Sequence, residues 1–264
     1  MINGDSMNCL VLAAGKSTRL AALTGGAPKP LTPVAGVPVL HRNLRWLAGA
    51  GISEAYVNLY HRGAEIKASV GDGSAFGLRV HWSEEDPILG TAGAAKNLEQ
   101  QLRAGGAKQF LVVYGDNVFG FDLRTLIDAH RNAALTMAVF DPARSLNTGI
   151  AGGRVLADGS GRITHFTEGG ADCSAGFQPA GDVSGRQDAC GTYVNAACYV
   201  CNIELLDQIP APPQASDWAR DIFPALLALG VPLRAHVIEG FCLGIDTPES
   251  YHIAEALFRE GKAL

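Results

Sequence analysis

Residues 10–31 read LVLAAGKSTRLAALTGGAPKPL and concentrate the residue types that handle phosphate. Gly15, Lys16 and Ser17 look like the close of a Walker A loop. That loop needs another glycine five residues before the Gly-Lys-Ser, so that the backbone can wrap a β-phosphate. The position is Leu10, inside an apolar run, so the P-loop reading fails. The stretch still suits an anion. After Leu12, the small residues Ala13, Ala14 and Gly15 leave a strand end bare, where backbone N–H groups can approach a phosphate. Arg19 and Lys29 add fixed positive charge, and Pro28 and Pro30 hold the lysine on an extended chain. Further on, Asp116 closes the apolar run QFLVVYGDN at 109–117, where an unpaired carboxylate is costly.

These residues need a frame. Apolar runs at 7–13, 54–60, 78–84, 109–117 and 135–141 predict strands. Between them, 39–51, 62–70, 90–102 and 123–133 have helical spacing or composition. The alternation implies crossover helices and an α/β, doubly wound, mostly parallel mixed sheet. Ligands bind such sheets outside the carboxyl ends of the strands. The loop from Gly15 and the pair Gly115-Asp116 both lie at such ends, so they can face one site. The second half is less regular. It offers a hairpin over NTGIAGGRVLAD and GRITHF, a strand at 193–201, a helix at 217–229, the strand LRAHVIEG and a helix at 248–260. Residues 168–191 have the composition of a long exposed loop, either a lid or an insertion without function. The expectation is a single domain over 7–264, with halves 7–141 and 142–264, and no C-terminal β-helix repeat.

Composition narrows the partners. A formal charge of −5 with no Lys/Arg cluster argues against nucleic acid. No apolar run reaches the ~18 residues of a membrane span, and no basic-then-apolar leader pattern is visible. A cytoplasmic location is expected, and oligomeric state is left open, a homo-oligomer included. Cys198 and Cys201 form the only close cysteine pair, in a strand-like run, and read as reduced core residues rather than a metal or redox site.

The stretch LAAGKSTRLAALTGGAPKPLTPVAGVPVL resembles the signature of the sugar-1-phosphate nucleotidyltransferases. The likeness continues in order through EEDPILGTAGAAKNL, VVYGDN, GRITHFTE, YVNAACYV and GIDTPESY. In size it is most similar to the mannose- and heptose-1-phosphate guanylyltransferase branch. The resemblance implies a Rossmann-like fold, a nucleoside triphosphate and a sugar 1-phosphate as substrates, an NDP-sugar and pyrophosphate as products, and Mg²⁺ as cofactor. It implies that Arg19 holds the leaving pyrophosphate, that Lys29 bridges the α-phosphate and the incoming phosphate, and that Asp116 binds the metal. Leu12, Ala13, Ala14, Gly15, Lys16, Glu85, Gly90 and Thr91 fall on the nucleotide side, and Asn117, Gly149, Glu168 and Asn195 on the sugar side. The family's Asp-Ile/Val-Gly-Thr-Pro becomes Gly244-Ile245-Asp246-Thr247-Pro248, which offers Asp246 as second metal ligand, with Thr247 the better-placed helix cap. Two more departures stand out: Gly169 replaces the usual lysine after Glu168, and Ala197 replaces a glycine. Glu85 stands where uridylyl- and thymidylyltransferases carry glutamine. A carboxylate only accepts hydrogen bonds, which suits the N–H donors of guanine, so GTP is the expected donor. The alternatives are a UTP- or dTTP-dependent enzyme, a choline- or inositol-phosphate cytidylyltransferase, and a non-catalytic nucleotide-sugar sensor.

Overall fold

The computed structural model describes residues 7–15, 19–20, 24–149, 152–168 and 191–263. Lys16 and residues 169–190 of the expected insert lie outside them.

The first half builds a parallel sheet. Strands β1 (Asn8–Leu12), β4 (Glu54–Leu59), β5 (Arg79–Glu84) and β6 (Gln109–Tyr114) lie in the order β6-β1-β4-β5. All three of these pairings are parallel. Alternate side chains of a strand face opposite sides, and β1 divides accordingly. Cys9 and Val11 pack with Leu40, Leu44 and Leu47 of helix α1 (Val39–Gly49) on one face. Leu10 and Leu12 pack on the other face with Ala92, Ala95 and Leu98 from helix α3 (Gly90–Asn97) and the residue after it. Both faces are covered, which is why β1 is apolar throughout rather than alternating. Helix α2 (Gly63–Val70) follows β4, and α4 (Glu99–Leu102) continues from α3 after a break at Leu98. Helix α5 (Leu123–Ala129) leads to strand β8 (Leu135–Phe140).

The second half adds antiparallel strands to the same sheet. Strands β9 (Arg154–Ala157) and β10 (Ile163–Thr167) form the expected hairpin, and the long strand β11 (Gly191–Asn202) pairs antiparallel with β6, β8 and β9. β8 also pairs in parallel with β12 (Leu233–Val237). The sheet is therefore mixed, with helices on both faces, as the element alternation implied. Cys198 and Cys201, three positions apart on β11, face opposite core layers.

Four short strands were not foreseen. β2 (Pro33–Val34) and β3 (Val37–Pro38) form a tight hairpin, with φ of 47° at Ala35 and 76° at Gly36 between them. Positive φ at both central residues matches the twist of a two-residue hairpin. β7 (Asn117–Phe121) and β13 (Gly240–Gly244) pair as an antiparallel ribbon, too short and Gly-rich to show a clear period. Their closeness depends on Gly120, where an added Cβ would lie 2.1 Å from the Phe241 ring. The C-terminal helix α7 (Pro248–Arg259) joins this ribbon's apolar cluster through Ala254. The expected helix at 217–229 begins as a π-turn (Trp218–Ile222) before helix α6 (Phe223–Ala228). Phe223 N–H bonds back to the Trp218 carbonyl, and Pro224, with no N–H, sits in the first turn of α6.

Candidate active site

The ribbon register explains how two distant aspartates meet. Gly244 pairs with Asn117, so the antiparallel strands bring Asp116, just before β7, beside the chain just after β13. Asp246 lies there, two residues past Gly244. A third element completes the cluster. The Pro28–Pro30 turn holds Lys29 only 8% exposed, and its Nζ donates to Asp116 Oδ2 at 2.7 Å and to Asp246 Oδ1. Burial works against the ammonium, but the charges and hydrogen bonds of the two carboxylates outweigh it and raise its pKa. Neither aspartate caps a helix. Asp122 caps α5, and Thr247 caps α7 in a reciprocal capping box with Ser250.

This cluster stands at a cavity of about 650 Å³. Arg19, Asp116, Asn117, Gly149, Glu168, Asn195 and Asp246 all line it. Seven residues proposed from sequence, spread over more than two hundred positions, are thus brought to one space. Asn43 of α1 fixes the Asn117 carbonyl at 2.8 Å, and Asn147 Oδ1 accepts from the Gly149 N–H at 2.9 Å. Desolvation at the wall raises the pKa of Glu168 against the opposing charge of Arg220. Asn195 Nδ2 donates to the Tyr199 hydroxyl, and its Oδ1 accepts from the Ala197 N–H, both at 2.8 Å. At Ala197, where the family prefers glycine, φ is 56° and the β11–β8 register shifts, so the strand bulges toward the cavity.

The residues expected on the nucleotide side lie apart from the cavity wall. Leu12 ends β1 opposite Tyr114, so the loop Ala13-Ala14-Gly15 leaves the sheet beside Gly115 and Asp116. Ala13 and Ala14 are buried, whereas a Cβ on Gly15 would meet nothing within 4 Å. Glu85 is 5% exposed, and burial raises its pKa against the Leu89 N–H and the Asn58 amide. Gly90 has φ of 76°, and a Cβ there would lie 2.4 Å from the Ser216 carbonyl oxygen, so the turn packs directly on that segment. Thr91 donates to Asp217 through both N–H and Oγ1, and its Oγ1 accepts from the Trp218 N–H at 3.0 Å. Thr91 also interacts with Tyr114, a wall residue, which ties this turn to the cavity.

Several wall residues escaped the sequence reading, among them Tyr114, Asn147, Thr148, Cys242 and Glu249. Asn58 and Asp217 escaped it as well, and Asn58 did carry a signal: a polar residue at a buried position of an apolar strand.

The profile of the family described as "Nucleotidyl transferase" matches residues 8–258. The chain is similar to a mannose-1-phosphate guanylyltransferase of Mycobacterium tuberculosis, with 35% identity over 93% of this chain and 62% of the relative. It is also similar to a UTP–glucose-1-phosphate uridylyltransferase of Synechocystis, with 30% identity over 87% of this chain and 57% of the relative. The chain thus spans about three-fifths of the length of these curated relatives. A crystal structure of HddC from Yersinia pseudotuberculosis complexed with GMP-PN shares the fold, with a TM-score of 0.72, 23% identity, and coverage of 96% of this chain and 99% of that one. No helix among the described residues is long and apolar enough to cross a membrane. With its profile matched across nearly the whole chain, the protein belongs to the nucleotidyl transferase family.

Proposed function

We propose that the chain joins a nucleoside triphosphate, GTP by preference, to a sugar 1-phosphate, releasing pyrophosphate and an NDP-sugar. The observation that carries this is the meeting of Lys29, Asp116 and Asp246 at the cavity lined by Arg19, Gly149, Glu168 and Asn195. An oxygen of the acceptor phosphate attacks the α-phosphorus, a new P–O bond forms, and the bond to the β-phosphate oxygen breaks. The chain's own task is to align two anions and neutralise their charge. Lys29, freed from its carboxylates, takes the α-phosphate and the acceptor phosphate, and Arg19 takes the departing pyrophosphate. The loop from Leu12 to Lys16 presents backbone donors to the nucleotide, and Gly90 and Thr91 shape its base side. Asn117, Gly149, Glu168 and Asn195 receive the sugar. On this reading residues 7–141 serve the donor and 142–264 the acceptor.

The donor set fits Mg²⁺, a cation typically held by one or two carboxylates plus substrate phosphates and water. Asp116 and Asp246 converge on a single ammonium, so a divalent ion can engage both without a rearrangement of the backbone. When bound, such an ion would draw charge from the α-phosphate as the new bond forms.

The GTP preference rests on Glu85, an acceptor suited to guanine's N–H groups, and on the 35%-identical relative, which is named a guanylyltransferase. A uridylyl reading has one observation behind it, the 30%-identical relative named for UTP. A matrix of nucleoside triphosphates against sugar 1-phosphates, read by pyrophosphate release and product mass, tests both. Equal kcat/KM for GTP and UTP would remove the preference. No pyrophosphate release with any pair would sink the enzyme reading and favour a sensor.

A further inference from the structure

We infer that Asn58 is a positioning residue that locks the base-side carboxylate Glu85 to the phosphate-side loop after β1, and so sets the spacing of the two ends of the nucleotide site. The inference rests on the nucleotide-site reading above.

Asn58 sits near the end of β4, opposite Leu12 of β1 and Ser83 of β5, between the two segments it joins. It is 2% exposed, and both polar atoms of its amide are used. Oδ1 accepts from the Ala13 N–H at 2.8 Å, and Nδ2 donates to Glu85 Oε1 at 2.8 Å. Glu85 Oε2 then accepts from the Leu89 N–H at 3.0 Å, one residue before Gly90. An unbroken series of hydrogen bonds therefore runs from the phosphate loop to the turn that opens α3. The partners dictate the amide's orientation: a backbone N–H can only donate, and an ionised carboxylate can only accept. A buried residue must supply one acceptor and one donor on a short planar group, and asparagine alone does so at this length. Each Glu85 oxygen keeps a further acceptor site, so the same carboxylate can be anchored and still meet a base. The influences on Glu85 are burial, Leu89 and Asn58, with no other charge among them.

Asn58→Asp makes the test, because it keeps the acceptor for Ala13 and removes the donor to Glu85. Two carboxylates at hydrogen-bonding distance cannot both ionise cheaply, so the link breaks at high pH and is restored when one shared proton binds. At pH 8 the variant should raise the KM for GTP by about tenfold, roughly the loss of one hydrogen bond to a charged group, with kcat within about threefold. Its KM should fall toward wild type as the pH is lowered, a recovery that wild type lacks. The double variant Asn58→Asp with Glu85→Gln reverses the polarity of the bond: the glutamine amide donates to position 58 and its oxygen accepts from Leu89. Its KM for UTP should stay level across the pH range in which Asn58→Asp recovers, because the hydrogen bond is re-formed without a shared proton. Thermal melts at each pH establish that the variants are folded. Asn58→Asp that fails to fold at pH 8 but folds at pH 6 supports the shared-proton link. A variant unfolded at both, or a KM profile parallel to wild type, or a loss confined to kcat, overturns the inference. If wild type turns over but Asn58→Asp matches it at every pH, only this inference fails. If wild type transfers no nucleotide, the functional reading fails first.

Discussion

Replacing Lys29 with methionine tests the centre of the site, because the unbranched side chain keeps most of its length and loses the ammonium with its charge and its two hydrogen bonds. The Lys29 ammonium touches two carboxylates whose side chains are 27% and 26% exposed. Without it, Asp116 and Asp246 face each other across about 4–5 Å, where two like charges repel by roughly 2–4 kcal/mol at an effective dielectric of 20–40. Partial exposure lets both turn toward water, so a stability loss of about 1–3 kcal/mol is expected, between a surface pair and a fully buried one. For a chain of this size that corresponds to a fall in Tm of roughly 2–6 °C. Magnesium should then raise the melting temperature of Lys29→Met more than that of wild type, because no ammonium competes for the carboxylates, and a ligand stabilises according to its affinity for the folded state. Turnover should fall about a hundredfold or more, the scale of one transition-state electrostatic contact. Scanning fluorimetry over a magnesium series, with pyrophosphate release alongside, reads all three quantities. An unchanged Tm, or equal magnesium shifts in both proteins, would refute the electrostatic reasoning. Turnover within threefold of wild type would remove Lys29 from the mechanism.

Asp246→Asn should raise the Mg²⁺ requirement severalfold with only a modest melt shift, since Lys29 keeps Asp116 as partner and Thr247, not Asp246, caps α7. A large melt shift at constant metal requirement would make Asp246 structural. Ala197→Gly should stabilise the fold by up to about 1 kcal/mol, because the left-handed φ of 56° costs alanine roughly 1–2 kcal/mol and glycine returns part of that as unfolded-state entropy. An unchanged or lower urea midpoint would contradict the strain. His130 is buried between Thr136 at 2.8 Å and Asn202 at 2.9 Å, and burial lowers its pKa from 6.5 against the Asn202 bond. Below pH 6.5 the unfolded chain therefore binds a proton that the folded chain resists, and stability falls as the pH drops. His130→Gln should flatten that fall, as measured by urea unfolding at pH 7.5 and 5.5. A slope equal to wild type would exclude His130.

The parallel half was legible because its central strands are buried on both faces, so β1 and β6 stand out as apolar runs, while β4 and the edge strand β5 show only in part. The ribbon of β7 and β13 was not. Its strands contain Gly120, Gly240 and Gly244, and its pairing depends on a ring packed over a glycine 121 positions away in the chain. Yet that ribbon brings Asp116 and Asp246 together. The aspartates were recognised as a pair by resemblance, whereas the reason they meet is a tertiary register that no local pattern encodes. Glu85 and Gly90 show the reverse case. Their motif was plain, but Glu85 is engaged with Asn58 and Leu89, and Gly90 is glycine because Ser216 leaves no room for a Cβ. A motif residue can be required by packing as well as by a ligand, and sequence spacing does not separate the two demands.

The charge of the cavity wall completes the argument. Among the described residues lining it, Asp116, Glu168, Asp246 and Glu249 are acidic, and Arg19 is the one cation. Lys29 stands beside two of the acids and balances only part of them. Such a wall repels phosphate, and a pocket built solely to hold two phosphorylated substrates would not carry four carboxylates against one guanidinium. The arrangement becomes reasonable if the carboxylates divide their work. Asp116 and Asp246, paired on one ammonium, have the geometry to exchange it for a divalent ion that arrives with the nucleotide. Glu168, whose pKa is raised by desolvation at the cavity wall, is the carboxylate that the proposed function assigns to the sugar rather than to a phosphate. The order of events then follows from electrostatics. On the proposed function, a nucleotide that came with its own cation would turn the acidic pair from a barrier into a clamp and free Lys29 for the acceptor phosphate, so the nucleotide is expected to bind before the sugar phosphate. Product-inhibition kinetics check this: pyrophosphate should leave before the NDP-sugar, and a sugar phosphate that binds the free protein as tightly as the nucleotide complex would contradict the order.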